Sequence, residues 1–270
     1  MPEPLLRLIG VSLRFGRQQV LSNLHLDIFP HETLALIGES GCGKSVTLKL
    51  MVGLLRPTDG EVTFEGQPLH RMSERQLTAM RRRVGFLFQA AALFDSLTVF
   101  ENVAFGLRAK GGLSVADLDR VVHERLAEVG LTAESARKMP AELSGGMRKR
   151  VGLARAMALD PDAMLYDEPT TGLDPIMTDV INELILKTRA RRAITGVVVT
   201  HEMRTVAKVA DRVVMLHPYP RLLLGEPQAI YDGPAVGLSE SMDPRVRQFV
   251  AGDAGDRLSE IHGEFSLPAE

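Results

Sequence analysis

The sequence predicts an α/β protein: a largely parallel sheet, an antiparallel β region ahead of it and an inserted helical subdomain. Three observations carry that prediction. Short apolar runs alternate with helix-like segments near both ends of the chain, as in a parallel sheet whose strands are joined by helices. Between Thr98 and Leu159 the segments are helix-like and no convincing strand intervenes. One glycine-rich loop, inside "LIGESGCGKSVTLKL" at residues 36–50, joins an apolar run directly to a helical pattern.

Taken in order, extended segments rich in Val, Leu, Ile and Phe are expected near 5–15, 19–29 and 61–69. They surround the opening strand of the main sheet, "TLALIG" at 33–38. A helix should run from about Gly43 to Leu55, stopped by Pro57 and the turn "PTDG". "SERQLTAMRRR" reads as a short helix capped by Ser73, with Glu74 suiting its first turn and Arg81 to Arg83 its last. "VGFLFQ" is a buried strand ending at Gln89. Past Pro161, strands resume at 163–168, 195–201 and 211–217. This divides the chain into a core (1–89 and 160–218), a helical subdomain (90–159) and a Gly-, Pro- and Glu-rich appendage (219–270) with a weakly ordered end.

Composition excludes several classes. With 45% hydrophobic and 24% charged residues the 270-residue chain is ordinary for a globular protein, and its formal net charge of −2 argues against a nucleic-acid partner. Its apolar runs are far below the roughly 20 residues that cross a bilayer. The start "MPEPLLRLIG" shows no secretory pattern. The single cysteine, Cys42, precludes an intrachain disulfide.

Chemistry concentrates in two places. "GESGCGKS" fits G-x-x-x-x-G-K-[ST] after a strand and at the opening of a helix. Gly38, Gly41 and Gly43 let backbone N–H groups turn toward phosphate oxygens, and the helix adds the positive end of its dipole. Lys44 should reach the β- and γ-phosphates of a nucleotide, and the Ser45 hydroxyl should bind Mg²⁺. A merely tight turn would not need Lys-Ser in register at the helix start. "AMLYDEP" ends a strand in two acids, and neighbours on a strand face opposite ways. Asp167 is therefore assigned to the Mg²⁺ shell and Glu168 to the water beyond the γ-phosphate, as general base or orienting group.

"LSGGM" at 143–147 adds a third place. Together with "GESGCGKS", Gln89, "LYDEP", "TGLDP" and "THE", it resembles the nucleotide-binding subunits of ABC transporters over residues 5–232, Met147 replacing a frequent Gln. That resemblance implies a RecA-like P-loop core hydrolysing ATP with Mg²⁺ as a head-to-tail homodimer, each ATP lying between one chain's phosphate loop and the other's "LSGG". The end of the helix fits the role: Ser144 can cap it while Gly145 and Gly146 leave its first N–H groups uncovered. Behind them Met147, Val151, Ala154 and Ala158 form an apolar stripe, with Arg148, Lys149 and Arg155 expected elsewhere on the surface.

Further roles follow from the resemblance. It implies that Ser40, Cys42 and Val46 join Gly38, Gly41, Gly43, Lys44 and Ser45 around the nucleotide, with Phe15 stacked on the base. Gln89 would touch Mg²⁺ and the water, Asp174 would signal across the dimer, and His201 would contact the γ-phosphate. Residues 87–108, where the family docks a permease, and "DPRVRQFV" at 243–250 resemble the ATPases of the Mla type, which power phospholipid transport between Gram-negative membranes. The implied partners are an integral-membrane permease, an MCE lipid-binding protein and a STAS-domain protein, with the ATPase on the cytoplasmic face of the inner membrane. An ATPase for an amino-acid or ion permease is the near alternative. A non-transport ATPase of DNA repair or translation is the distant one, since those carry tandem cassettes, coiled coils or zinc-binding cysteines.

Overall fold

The computed structural model describes residues 3–254. Two antiparallel strands, β1 (Leu6–Phe15) and β2 (Gln18–Ile28), open the chain and pair with β4 (Asp59–Phe64) and β5 (Gln67–Pro68) in the order β2-β1-β4-β5. The expected extended segment 61–69 is thus two strands, split where Glu65 and Gly66 both take positive φ. This small sheet faces the main sheet, and Leu6, Leu21 and Ile28 share one core with Leu34, Leu36 and Val197.

The main sheet has the order β10-β9-β3-β8-β7-β6. Its parallel members are β3 (Thr33–Gly38), β6 (Val84–Leu87), β7 (Ala163–Asp167), β8 (Thr195–Val199) and β9 (Arg212–Leu216). β3, β7 and β8 are buried along their whole length, which is why they read as unbroken apolar runs rather than as alternation. β10 (Ala229–Pro234) runs antiparallel at the edge. Residues 229–234, placed in the appendage by composition, are therefore a strand of this sheet.

Helix α1 (Lys44–Met51) follows β3 but ends four residues before the expected Leu55, at a C-cap Val52 with Gly53 at φ 65° behind it. Arg81 closes that end by donating to the carbonyls of Val52 and Gly53. It belongs to α2 (Glu74–Arg82), capped as expected by Ser73, in a reciprocal box with Gln76.

The helical region comprises α3 (Val99–Lys110), α4 (Val115–Glu128) and α5 (Gly145–Met157), with caps Thr98, Ser114 and Ser144. Val103, Leu126, Val151 and Ala154 pack there with Met164 and Tyr166 of β7 in a second core. That shared core ties α5 to the strand that carries the acids. Helices α6 (Pro175–Arg192) and α7 (Met203–Val209) flank β8 in sequence. The C-terminal α8 (Pro244–Ala251) packs Val246 and Phe249 with Val213 and Met215 of β9. The end of the tail expected to be weakly ordered lies outside the described residues.

Candidate nucleotide and hydrolysis site

The glycine loop stands where the carboxyl ends of β3 and β9 meet. Gly38 has φ 137°, and a Cβ there would lie 2.2 Å from the carbonyl oxygen of Leu216, so no other residue fits. Gly43, at φ 103°, would drive a Cβ to 2.5 Å from the Leu21 side chain. The loop thus passes closer to its neighbours than side chains allow. Lys44 is buried, its Nζ donating to the carbonyls of Gly38 (2.7 Å) and Glu39 (2.8 Å). This holds a positive charge inside the ring of backbone that the motif predicts for phosphate. Ser40 and Gly41 are exposed at the tip, and Val46 is half-buried against the first core. Cys42 is fully buried in that core, and burial pushes its thiol pKa up, as suits a small filler.

Two further contacts, which no motif signals, brace the loop. Gln228, buried at the start of β10, donates through Nε2 to the carbonyls of Val20 (2.9 Å) and Cys42 (3.2 Å) and accepts from Ser22 N. Arg221 pairs with Glu39 at 2.8 Å. Both partners lie over 180 residues away in sequence, so no local spacing signals them.

The strand end of β7 supplies the acids. Ser45 Oγ donates to Asp167 Oδ1 at 2.7 Å, so the two residues expected to hold Mg²⁺ meet across 122 positions. Burial raises the Asp167 pKa; the Ser45 hydrogen bond and the nearby Lys49 and Lys149 act against it. A divalent cation would relieve that burial more strongly. The donor set is a hydroxyl and a carboxylate, both hard oxygens, and among the described residues no three His, Cys, Asp or Glu side chains cluster for metal. That suits magnesium, which keeps waters and completes its shell with phosphate oxygens.

Glu168 corrects one expectation. It does not lie on the strand facing away from Asp167: the strand ends at Asp167 and Glu168 turns out of it at φ 48°, in the left-handed region. Strained backbone of this kind persists only where its surroundings over-determine it. Here the Glu168 N–H donates to Val199 O (2.9 Å), Thr171 Oγ1 donates to Oε2 (2.9 Å), and His201 Nδ1 lies 2.9 Å from the same oxygen. Glu168 and His201 are thus one unit, with His201 half exposed. Gln89 lies two residues beyond β6 and is exposed. Its backbone carbonyl, not its side chain, is what the structure fixes, so its contact with metal and water is carried by the resemblance alone.

Lys149 and Arg155 give a second correction. Lys149 is buried and Arg155 is half-buried. Lys149 is 6% exposed, and its Nζ donates to Gln89 O and Glu168 O; Arg155 donates to the carbonyls of Ala91 and Ala92. The apolar stripe predicted on α5 does face the core, so these cations turn inward beside it. Long cationic stems reach buried carbonyls readily, which hydrophobic patterning does not register.

The remaining predicted residues lie at the ends of other elements. Ser144 accepts from Met147 N as the cap of α5, with Gly145 exposed and Gly146 packed on Met177. Asp174 caps α6, accepting from Ile176 N and Met177 N. Phe15 is 49% exposed at the end of β1.

The ABC transporter family matches residues 21–171. The chain is 38% identical over 270 residues to the intermembrane phospholipid transport system ATP-binding protein MlaF of Haemophilus influenzae, covering 100% of this chain and 97% of that one. The probable ribonucleotide transport ATP-binding protein mkl of Mycobacterium tuberculosis is 39% identical over 243 residues, 90% of this chain and 65% of its own. A bacterial ABC transporter cassette solved as a dimer superposes with a TM-score of 0.76 at 31% identity, covering 85% of this chain and 98% of that one. A dimeric post-hydrolysis state bound to ADP and Pi gives 0.75 at 32% identity, with the same coverage. On that match and those relatives, the chain belongs to the ABC transporter family, as one of its ATP-hydrolysing cassettes.

Proposed function

We propose that this chain is the ATPase motor of a transporter that moves phospholipid between two membranes, acting as two copies that share each ATP. The observation that carries the ATPase reading is the Ser45–Asp167 pair standing beside the Glu168–His201 pair. Ser45 and Asp167 would hold magnesium, which supplies charge neutralisation on the β- and γ-phosphates. Lys44, already inside the loop, would exchange the carbonyls of Gly38 and Glu39 for phosphate oxygens. Glu168, fixed on two sides, orients the attacking water and takes up its proton. His201, which meets Glu168 through Nδ1, would contact the terminal phosphate through Nε2.

Sharing of ATP between copies is supported by the exposed start of α5 and by the dimeric cassettes of the same fold. The exposed Phe15 would stack on the base, and Asp174 would sense the neighbouring copy. No helix among the described residues is long and apolar enough to cross a membrane. The family resemblance assigns the membrane step to a permease, with the ATPase on the cytoplasmic face and MCE and STAS-domain proteins as further partners.

Phospholipid is favoured as cargo because the correspondence with MlaF of Haemophilus influenzae runs the whole chain, through the segment at 243–250. The mycobacterial relative, whose name refers to ribonucleotides, is equally identical over a shorter span and supplies the second reading. Copurification from detergent with the permease, followed by mass spectrometry of what is bound, decides: phospholipid supports the first reading and its absence counts for the second, since nucleotide comes with the ATP site in either case. For the ATPase itself, Glu168→Gln should keep ATP binding, accumulate the closed dimer and slow turnover about 100- to 10,000-fold. Turnover near the wild-type rate would remove Glu168 from its role.

A further inference from the structure

Lys149 is a charge where the fold asks for none. On α5 it sits five residues past the Ser144 cap, among the buried Val151, Gly152, Leu153 and Ala154. An ammonium placed there loses hydration, and burial lowers its pKa, though Glu168, Asp167 and Glu202 pull it back. Such a position is tolerated when hydrogen bonds replace the water. Those bonds go to two particular carbonyls, Gln89 O at 2.5 Å and Glu168 O at 2.9 Å.

The second bond bears on hydrolysis. Glu168 takes a left-handed backbone that a residue with a Cβ adopts at a cost. Val199 O holds its N–H and Lys149 holds its carbonyl, so the peptide planes on both sides are fixed. The first bond, with those of Arg155 to Ala91 and Ala92, fastens the segment after β6 to the same helix. One ammonium therefore joins α5, the Gln89 segment and the turn that aims Glu168.

We propose that Lys149 is a positioning residue for ATP hydrolysis, setting the Glu168 carboxylate from α5 through the Glu168 backbone. This rests on the reading of Glu168 as the group that orients the water. Because α5 begins at Ser144, the placement of Glu168 follows the placement of that helix end. Docking of α5 on a neighbouring copy's nucleotide would thus be felt at the hydrolytic acid of its own chain.

The test is Lys149→Met, close in length and without a donor, with Lys149→Gln, which keeps an NH₂ on a shorter stem, alongside. ATP affinity and ATP-driven dimerisation should stay within about twofold, KM likewise. The value of kcat should fall about 10- to 100-fold in Lys149→Met, the scale of a misplaced catalytic group, and less in Lys149→Gln. In a Glu168→Gln background, single-turnover phosphate release should show no further loss from Lys149→Met, because the group it acts through is already gone. A kcat within twofold of wild type overturns the proposal. So do losses that multiply in the double variant, or a fall in ATP affinity that matches the fall in kcat. If Lys149→Met does not fold, Lys149→Gln carries the same measurements. Failure of both to fold also overturns it, since the ammonium would then hold the fold and not the acid. Normal turnover in Glu168→Gln alone would instead retire the reading beneath it.

Discussion

At the phosphate loop, Lys44 is buried and bonded to its own backbone, Ser45 is bonded to Asp167, and Gln228 braces the loop from β10. At the start of α5, Ser144 and Gly145 are exposed and the capping bond to Met147 N is the local tie. The first region is finished before any second molecule arrives; the second is an open helix end. A chain with one closed half-site and one open half-site can complete a nucleotide pocket by pairing with itself. The difference also separates two kinds of failure, binding within one copy and pairing between copies.

The largest expected effect breaks the open half alone. A Cβ on Gly145 would have only the Leu173 side chain near it, at 4.0 Å, and its φ is not positive, so Gly145→Asp fits the fold. A carboxylate in the first turn also favours the helix dipole. Against a triphosphate, however, like charges cost several kcal/mol, so turnover should fall about 100-fold or more. Binding of ATP by the single chain should stay within about twofold, as measured by fluorescence titration at high dilution. A variant that hydrolysed ATP normally would show that the start of α5 never meets phosphate.

The complementary change, Lys44→Ala, breaks the closed half. Hydrogen bonds to charged groups contribute about 1.5–3 kcal/mol, so ATP affinity of the single chain should weaken about 10- to 100-fold. Equilibrium dialysis reads this directly. Unchanged affinity would mean that Lys44 stays with Gly38 and Glu39 when nucleotide binds.

The two halves also differed in how far they could be read from sequence. The phosphate loop, the acids and the caps at Ser73 and Ser144 were legible because each is a local requirement: a positive φ, a strand end, a helix N–H to satisfy. The main parallel strands were legible because burial on both faces leaves continuous apolar runs. What escaped was non-local or against pattern. Lys149 lies beside the apolar stripe on α5, yet carries a charge inward to carbonyls 60 and 19 residues away. The turn that takes Glu168 off the strand leaves no trace in composition, because φ is invisible there. β10 carries no such signal, because an edge strand ending in Gly-Pro lacks the apolar run of the central ones.

A smaller effect sharpens how the closed half is kept closed. Gln228→Ala would leave the carbonyls of Val20 and Cys42 and the N–H of Ser22 without this partner. Unsatisfied buried groups cost about 1–3 kcal/mol, and the loss should appear as a lower denaturant midpoint. Because Cys42 belongs to the loop, ATP affinity should fall with stability here, unlike in Gly145→Asp. A stability loss with unchanged affinity would detach β10 from the nucleotide site.

The smallest effect lies where α8 meets the loop that precedes β10. Arg245 pairs with Glu226 at 2.5 Å and with Asp243 at 2.6 Å, and these bonds hold both carboxyl groups below the usual carboxylate range. A carboxyl with a lowered folded pKa binds fewer protons folded than unfolded. Its stabilisation is therefore complete above the unfolded value, about 4, and is lost as pH falls through the folded value. His217 adds the same sign: burial and Arg245 lower its pKa, so acid favours the unfolded chain there too. Arg245, Glu226 and Asp243 are partly exposed to solvent, so their pairing should contribute at most about 1 kcal/mol. Arg245→Met should accordingly be less stable than wild type at pH 7, and the gap should narrow as pH falls below about 4. Urea unfolding of both proteins across that range measures it. A gap of constant size would assign the stabilisation to packing of the Arg245 stem and not to its charge, leaving α8 joined to the nucleotide side of the sheet by apolar contact alone.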